Sequence, residues 1–221
     1  MSPQNRRLLS PRIDGRLAAY ATVAGAALAA PTIPTADATI IWSGPVNINI
    51  PSTTAGIYLN FFTGQSGGNT VPSWDVNPYG STSLTMFNPT APAGGVYVGD
   101  ASGYYNLTLG TLISAASTYT SGNISPTSPN PLAFNSNQNL IGIRFVDPSL
   151  NGGAVTYGWM RIMLSGTQAS QPRAIVEYAY ENSVGVGIAA GAIPEPSTLA
   201  LLGVMAAGAL GVRAWRKHKN P

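Results

Sequence analysis

Residues 139–147 read NLIGIRFVD. Ile141, Ile143 and Phe145 fall on one side of an extended chain, and Gly142, Arg144 and Val146 on the other. A period of two is what a strand with one face on a core requires. The pattern recurs in 45-PVNINI-50, with Val46, Ile48 and Ile50 on one face and Asn47 and Asn49 on the other. Further strand-length runs are 39-TIIW-42, 56-GIYLNFFTG-64, 82-TSLTMFN-88, 95-GVYVGD-100, 154-AVTYGWMRIMLS-165 and 173-RAIVEYAYE-181. Turn-rich pieces separate them: GQSGGN, NPTAPAGG, SPTSPNP and DPSLNGG. LGTLISAAS, residues 109–117, fits a short helix or one more strand. Many short strands and little helical periodicity predict an all-β fold, an antiparallel β-sandwich or jelly roll, over residues 39–191.

The chain has 221 residues and a formal charge of +3. The excess is confined to the ends. Arg6, Arg7, Arg12 and Arg16 lie at one, and Arg213, Arg216, Lys217 and Lys219 at the other. Between Thr39 and Ile193, Arg144, Arg161 and Arg173 face Asp75, Asp100, Asp147, Glu177 and Glu181, a net −2. Such a body offers no footprint for a phosphate backbone, so no nucleic-acid partner is expected. Basic ends suit membrane targeting instead.

The chain has no cysteine, and its single histidine is His218 in the basic tail. Disulfides, thiol nucleophiles, Ser–His–Asp triads and His- or Cys-held metals are therefore excluded from the body. No catalytic residues, metal or cofactor are expected. Glycoside hydrolysis needs two carboxyl groups about 5–10 Å apart. Glu177 and Glu181, four apart, share a strand face roughly 13 Å apart by rise. Asp75, Asp100 and Asp147 adjoin turn residues, so all five read as solvated surface carboxylates. A calcium site on Asp100 or Asp147 lacks the D-x-D-x-D spacing that would support it. Trp42 and Trp159 read as core. Among Trp74, Tyr79, Tyr97, Tyr104 and Tyr105, which suit aromatic platforms for sugar rings, Trp74 and Tyr79 in 72-PSWDVNPYG-80 are the best ligand contacts.

Residues 1–38 read as a signal peptide with a signal helix. Four arginines precede LAAYATVAGAALAA at 17–30, and Ala36 and Ala38 form an A-x-A site for signal peptidase. Arg6-Arg7 loosely matches a twin-arginine signal. At the other end, GAIPEPS forms a linker through Pro194, Glu195 and Pro196 (residues 192–196). STLALLGVMAAGALGV, residues 197–212, has no charge and fits a transmembrane helix of about 24 Å. The tail 213–221 follows, with Arg213, Arg216, Lys217 and Lys219 as a cytoplasmic stop.

Pro-Glu-Pro, a short hydrophobic stretch and terminal Arg/Lys closely resemble the PEP-CTERM sorting signal of Gram-negative bacteria, here over residues 192–221. The segment from YGWMRIML to GVGIAAG is similar to a recurring portion of such proteins that has no assigned activity. The resemblance implies recognition near Pro194, Glu195 and Pro196 by an exosortase, a membrane transpeptidase. It implies transient anchoring in the inner membrane, release, and delivery to the cell surface or extracellular matrix, with exopolysaccharide as a partner. The expectation is a non-catalytic structural or binding module. The alternatives are a secreted carbohydrate-active enzyme using carboxylates, or a permanently membrane-anchored structural protein.

Overall fold

The computed structural model describes residues 39–120 and 130–194. The expected signal helix, the Ala36/Ala38 cleavage site, Glu195, Pro196, the stretch 197–212 and the basic tail lie outside the described residues. Among the described residues no helix is long and apolar enough to cross a membrane.

Those residues form fourteen strands: β1 (Ile40–Trp42), β2 (Ile48–Asn49), β3 (Tyr58–Leu59), β4 (Ser66–Gly67), β5 (Asn77–Tyr79), β6 (Thr85–Phe87), β7 (Tyr97–Asp100), β8 (Gly103–Tyr104), β9 (Leu112–Ile113), β10 (Tyr119–Thr120), β11 (Ser136–Phe145), β12 (Thr156–Leu164), β13 (Arg173–Glu181) and β14 (Ile188–Ala189). A 3₁₀ turn at Asn151–Gly153 is the one helical element among them. Every pairing is antiparallel. The principal sheet runs β1-β13-β12-β11-β7-β10, with β2 added to β13 and β8 to β7. Two-stranded ladders β3–β4, β5–β6 and β9–β14 complete the fold.

The opening pattern is realised directly. Ile141, Ile143 and Phe145 enter the larger core, alongside Met160 and Ile162 of β12 and Ile175, Tyr178 and Tyr180 of β13. Leu59, Val76, Leu84 and Met86 join them from the β3–β6 region. Rings lock this core: Phe61 meets Phe145 at 5.6 Å and Tyr178 at 4.6 Å, and Phe145 meets Tyr180 at 5.7 Å. The other face carries a smaller core of Leu140, Tyr157, Trp159 and Ala179, covered by Ile113 of β9 and Ile188 of β14.

Phase along β13 is kept by a bulge. The register jumps from Arg161↔Glu177 to Ile162↔Ile175, leaving Val176 unpaired. One extra residue lets both Ile175 and Tyr178 reach the larger core although they are three apart. The same mechanism breaks the expected alternation in PVNINI. The N–H groups of Val46 and Asn47 both donate to the Val176 carbonyl, and Asn47 takes a left-handed φ of 49°. Val46 is consequently exposed while Ile50 is fully buried. LGTLISAAS holds the short strand β9 followed by a turn, and no helix.

Gly142 sets the spacing of the smaller core. A Cβ there would stand 2.6 Å from Val98 Cγ2, 2.8 Å from Leu107 Cδ1 and 3.0 Å from Ile113 Cγ1. Gly142→Ala is expected to overpack this core and cost about 1–3 kcal/mol, read as a lower urea midpoint.

Candidate ligand groove and the sorting junction

β5 and β6 pair Asn77↔Phe87, Pro78↔Met86 and Tyr79↔Thr85. Directly paired residues point to one side of a ladder. Met86 enters the core, so Asn77, Tyr79, Thr85 and Phe87 lie on the outward side. Tyr79 is half-buried and Phe87 is exposed. The Trp74 indole stacks on Phe87 with centroids 5.3 Å apart and takes the edge of Tyr58 at 4.9 Å. Beside this cluster lies a cavity of about 260 Å³ lined by Thr54, Ala55, Tyr58, Asn77, Tyr79 and Phe87. Its volume is below the roughly 300–1,000 Å³ that encloses a drug-sized ligand, so it suits a single ring.

Asn77 stiffens the floor. Its Nδ2 donates to the Ala55 carbonyl at 3.1 Å, while its buried Oδ1 has no hydrogen-bond partner among the described residues. That Oδ1 lies under Gly56, where a Cβ would come within 2.2 Å of it; Gly56 also holds a φ of 68°, so only glycine closes the turn. The groove thus presents apolar ring faces, the complement of a neutral ligand bearing C–H faces, while the buried Asn77 Oδ1 is closed off beneath Gly56.

Of the residues singled out from sequence, Tyr79 lines the cavity and Trp74 braces Phe87 and Tyr58 from behind. Sequence alone does not single out Tyr58 and Phe87, because each sits inside a strand-length run. The signal for Phe87 is strand parity: with Met86 inward, Phe87 must point out. Tyr97 and Tyr104 are core residues with ring centroids 5.9 Å apart, and are not surface platforms. Tyr105 is half-buried and donates its hydroxyl to Asp100. Trp42 is exposed rather than core, and its indole N–H donates to Glu177 Oε2 at 2.9 Å.

The carboxylates depart most from expectation. Among the described residues only Asp100 is exposed; hydrogen bonds from the Ser102 hydroxyl, the Tyr105 hydroxyl and the Ser102 N–H hold its pKa down to about 2. Glu177 accepts from Arg161 Nε at 2.7 Å. Glu181 is buried, its Oε1 accepting the N–H groups of Thr39 and Ser183. Asp75 and Asp147 are 1% and 2% exposed. Asp75 Oδ2 accepts the Phe61 N–H at 2.7 Å, and Asp147 accepts from Asn60 Nδ2 and the Ser149 N–H. Burial pushes the Asp75 pKa to about 8, against the Phe61 hydrogen bond and with help from the neighbouring Asp147 charge. Two carboxyl groups from loops 72 positions apart are thus drawn together beneath the surface. Among the described residues no three acidic or histidine side chains converge as metal ligands.

At the C-terminal end, β14 pairs with β9 through Ile188↔Ile113 and Ala189↔Leu112. The Ala190 N–H donates to Thr111 O at 2.8 Å, and the Ala190 carbonyl accepts the Gly110 N–H. Ala192 packs on the smaller core and its carbonyl accepts the indole N–H of fully buried Trp159 at 3.0 Å. Ile193 and Pro194 then emerge exposed. A family model for the PEP-CTERM protein-sorting motif matches residues 192–219. The chain carries a PEP-CTERM sorting motif. No curated protein and no solved structure matches the chain.

The PEP-CTERM motif is a sorting signal read by an exosortase, which supports export and cell-surface sorting of this chain. Its first residue, Ala192, is also held to the fold by the Trp159 indole.

Proposed function

We propose that this chain is exported, anchored transiently in the inner membrane by residues 197–212, processed by an exosortase near Pro194-Glu195-Pro196, and delivered to the cell surface or matrix. There its β-sandwich body serves as a non-catalytic module that binds exopolysaccharide. The observation that carries the binding half is the groove of Tyr58, Tyr79 and Phe87 braced by Trp74. The low charge of the body agrees with a neutral saccharide. The buried pair Asp75–Asp147 is the one arrangement that favours a carboxylate enzyme. Its enclosure leaves no approach for a glycosidic bond, so the binding reading is preferred.

The test is binding of the mature protein to polysaccharide from its own cells. Truncating a ring that anchors a ligand costs about 2 kcal/mol. Tyr79→Ala and Phe87→Ala are therefore each expected to weaken binding roughly thirtyfold, with an unchanged circular dichroism spectrum. Wild-type affinity in both variants would remove the groove from the function. Intact mass of the recovered protein tests the sorting half. A species beginning near Thr39 and ending near Pro196 supports processing, and a membrane species retaining 197–221 favours a permanent anchor.

A further inference from the structure

The surface around the point where the chain leaves the fold is apolar. Leu109 is 74% exposed, Leu112 61%, Val184 61% and Ile193 46%. All four sit on β9, on β14 or on the segments flanking them. Leu112 pairs with Ala189 across the ladder, and the Leu109 side chain lies against Gly191. Residues 101–120 and 182–194, which build this surface, contain no charged residue. Exposed apolar side chains on segments without charge mark a contact surface, here with Thr108 and Asn182 also exposed beside them.

Chain length says what lies opposite. Trp159 holds the Ala192 carbonyl, and the uncharged stretch begins at Ser197. Five residues reach at most about 17 Å when fully extended. The headgroup layer on each side of a bilayer is roughly 5–8 Å deep. Once that layer is crossed, the exit point stays within about 9–12 Å of the membrane that residues 197–212 enter, so the face around it is the one held nearest the bilayer.

We propose that, while the sorting tail is anchored, the surface of Leu109, Leu112, Val184 and Ile193 rests on the bilayer interface. The occupant is lipid: headgroups and the first methylenes below them. The contact fixes the orientation of the body and holds Pro194 at the interface. Release of the tail removes the tether and frees the surface. This rests on the reading that residues 197–212 enter the membrane.

Because the chain has no cysteine, single sites can be labelled without background. Leu112→Cys and Val184→Cys, with Ser66→Cys on the ladder over the opposite core as reference, carry an environment-sensitive fluorophore in the membrane-fraction protein reconstituted into phosphatidylcholine vesicles. A side chain in the interfacial layer, about 5–10 Å deep, should lose over half its emission to lipids spin-labelled at shallow depth. The expected result is quenching at 112 and 184 and none at 66. Protein that floats with vesicles but shows no more quenching at 112 and 184 than at 66 overturns the contact and leaves anchoring intact. Emission shifted to the blue yet unquenched means a second copy covers the surface, which also overturns it. Protein that fails to float removes the anchoring reading and the proposal together.

Discussion

Arg173→Met is expected to leave the body unfolded or nearly so. The guanidinium is fully buried and has no carboxylate beside it among the described residues. Its five N–H donors instead meet five backbone carbonyls. Nε donates to Ile50 at 3.0 Å, Nη1 to Gln168 at 2.7 Å and Ser83 at 3.4 Å, and Nη2 to Pro51 and Gly80. Two segments distant in sequence, around residues 50 and 80, and the nearby loop at Gln168 are tied to β13 by one side chain. Burial pulls its pKa down, but carbonyl dipoles on every donor replace the lost water. Removing the side chain leaves carbonyls without donors. At about 1–3 kcal/mol for each buried unmet group, even partial relaxation leaves a loss of at least about 5 kcal/mol, comparable with the whole stability of many domains. Arg173→Lys supplies three donors on a point charge and should recover only part of that. Urea unfolding decides the matter; a Met variant within about 1 kcal/mol of wild type would mean the carbonyls find other partners.

The second large effect is a pH dependence with an unusual sign. Most paired carboxylates stabilise a fold as pH rises; Asp75 should do the reverse. Its pKa is raised from 3.8 to about 8 in the folded chain. The folded state therefore binds the proton more tightly than the unfolded one. Stability from this site is fully present below about pH 4 and lost as pH rises toward about 8, at up to about 1.4 kcal/mol per pH unit. Asp147 is the charge that acts on it, and the Asp75 charge in turn adds to the burial that raises Tyr97 and Tyr178. The tyrosine shifts run upward from 10.0 and that of Asp100 downward from 3.8, both outside this window. The body contains no histidine to obscure it. Asp75→Asn keeps an acceptor for the Phe61 N–H and removes the charge. Urea midpoints between pH 5 and pH 8 should fall with pH in wild type and stay level in the variant. Parallel curves would show that Asp75 is not the titrating group.

Local pattern carried much of the fold. The period of two in residues 141–145 places the principal sheet and names the residues of its larger core. The turns NPTAPAGG and DPSLNGG separate strands as glycine- and proline-rich pieces should, whereas GQSGGN, expected as a turn, itself contains β4 because Ser66 and Gly67 pair with Leu59 and Tyr58. Strands of two or three residues, such as β4 and β14, leave no periodicity to read. The sorting motif was legible because it is linear: its order along the chain is the signal, and a family model finds the same residues.

The solvated reading of Asp75, Asp147 and Glu181 failed for an equally physical reason. Burial is decided by what arrives from elsewhere. A turn-side aspartate looks wet until Phe61 and Asn60 close over it, and Arg173 looks like a strand-end surface charge until loops around residues 50, 80 and 168 deliver their carbonyls. Val46 and Trp42 moved outward for the converse reason, because bulges and edge positions change which side of a strand is covered. Sequence by itself determined the all-β class, the absence of thiol and histidine chemistry from the body, and the sorting motif, since each depends on composition or on neighbours along the chain. Only the tertiary structure decided the Arg173 hub, the shared burial of Asp75 and Asp147, the groove of Tyr58, Tyr79 and Phe87, and the pin from Trp159 to Ala192, since each joins groups that only the fold makes neighbours.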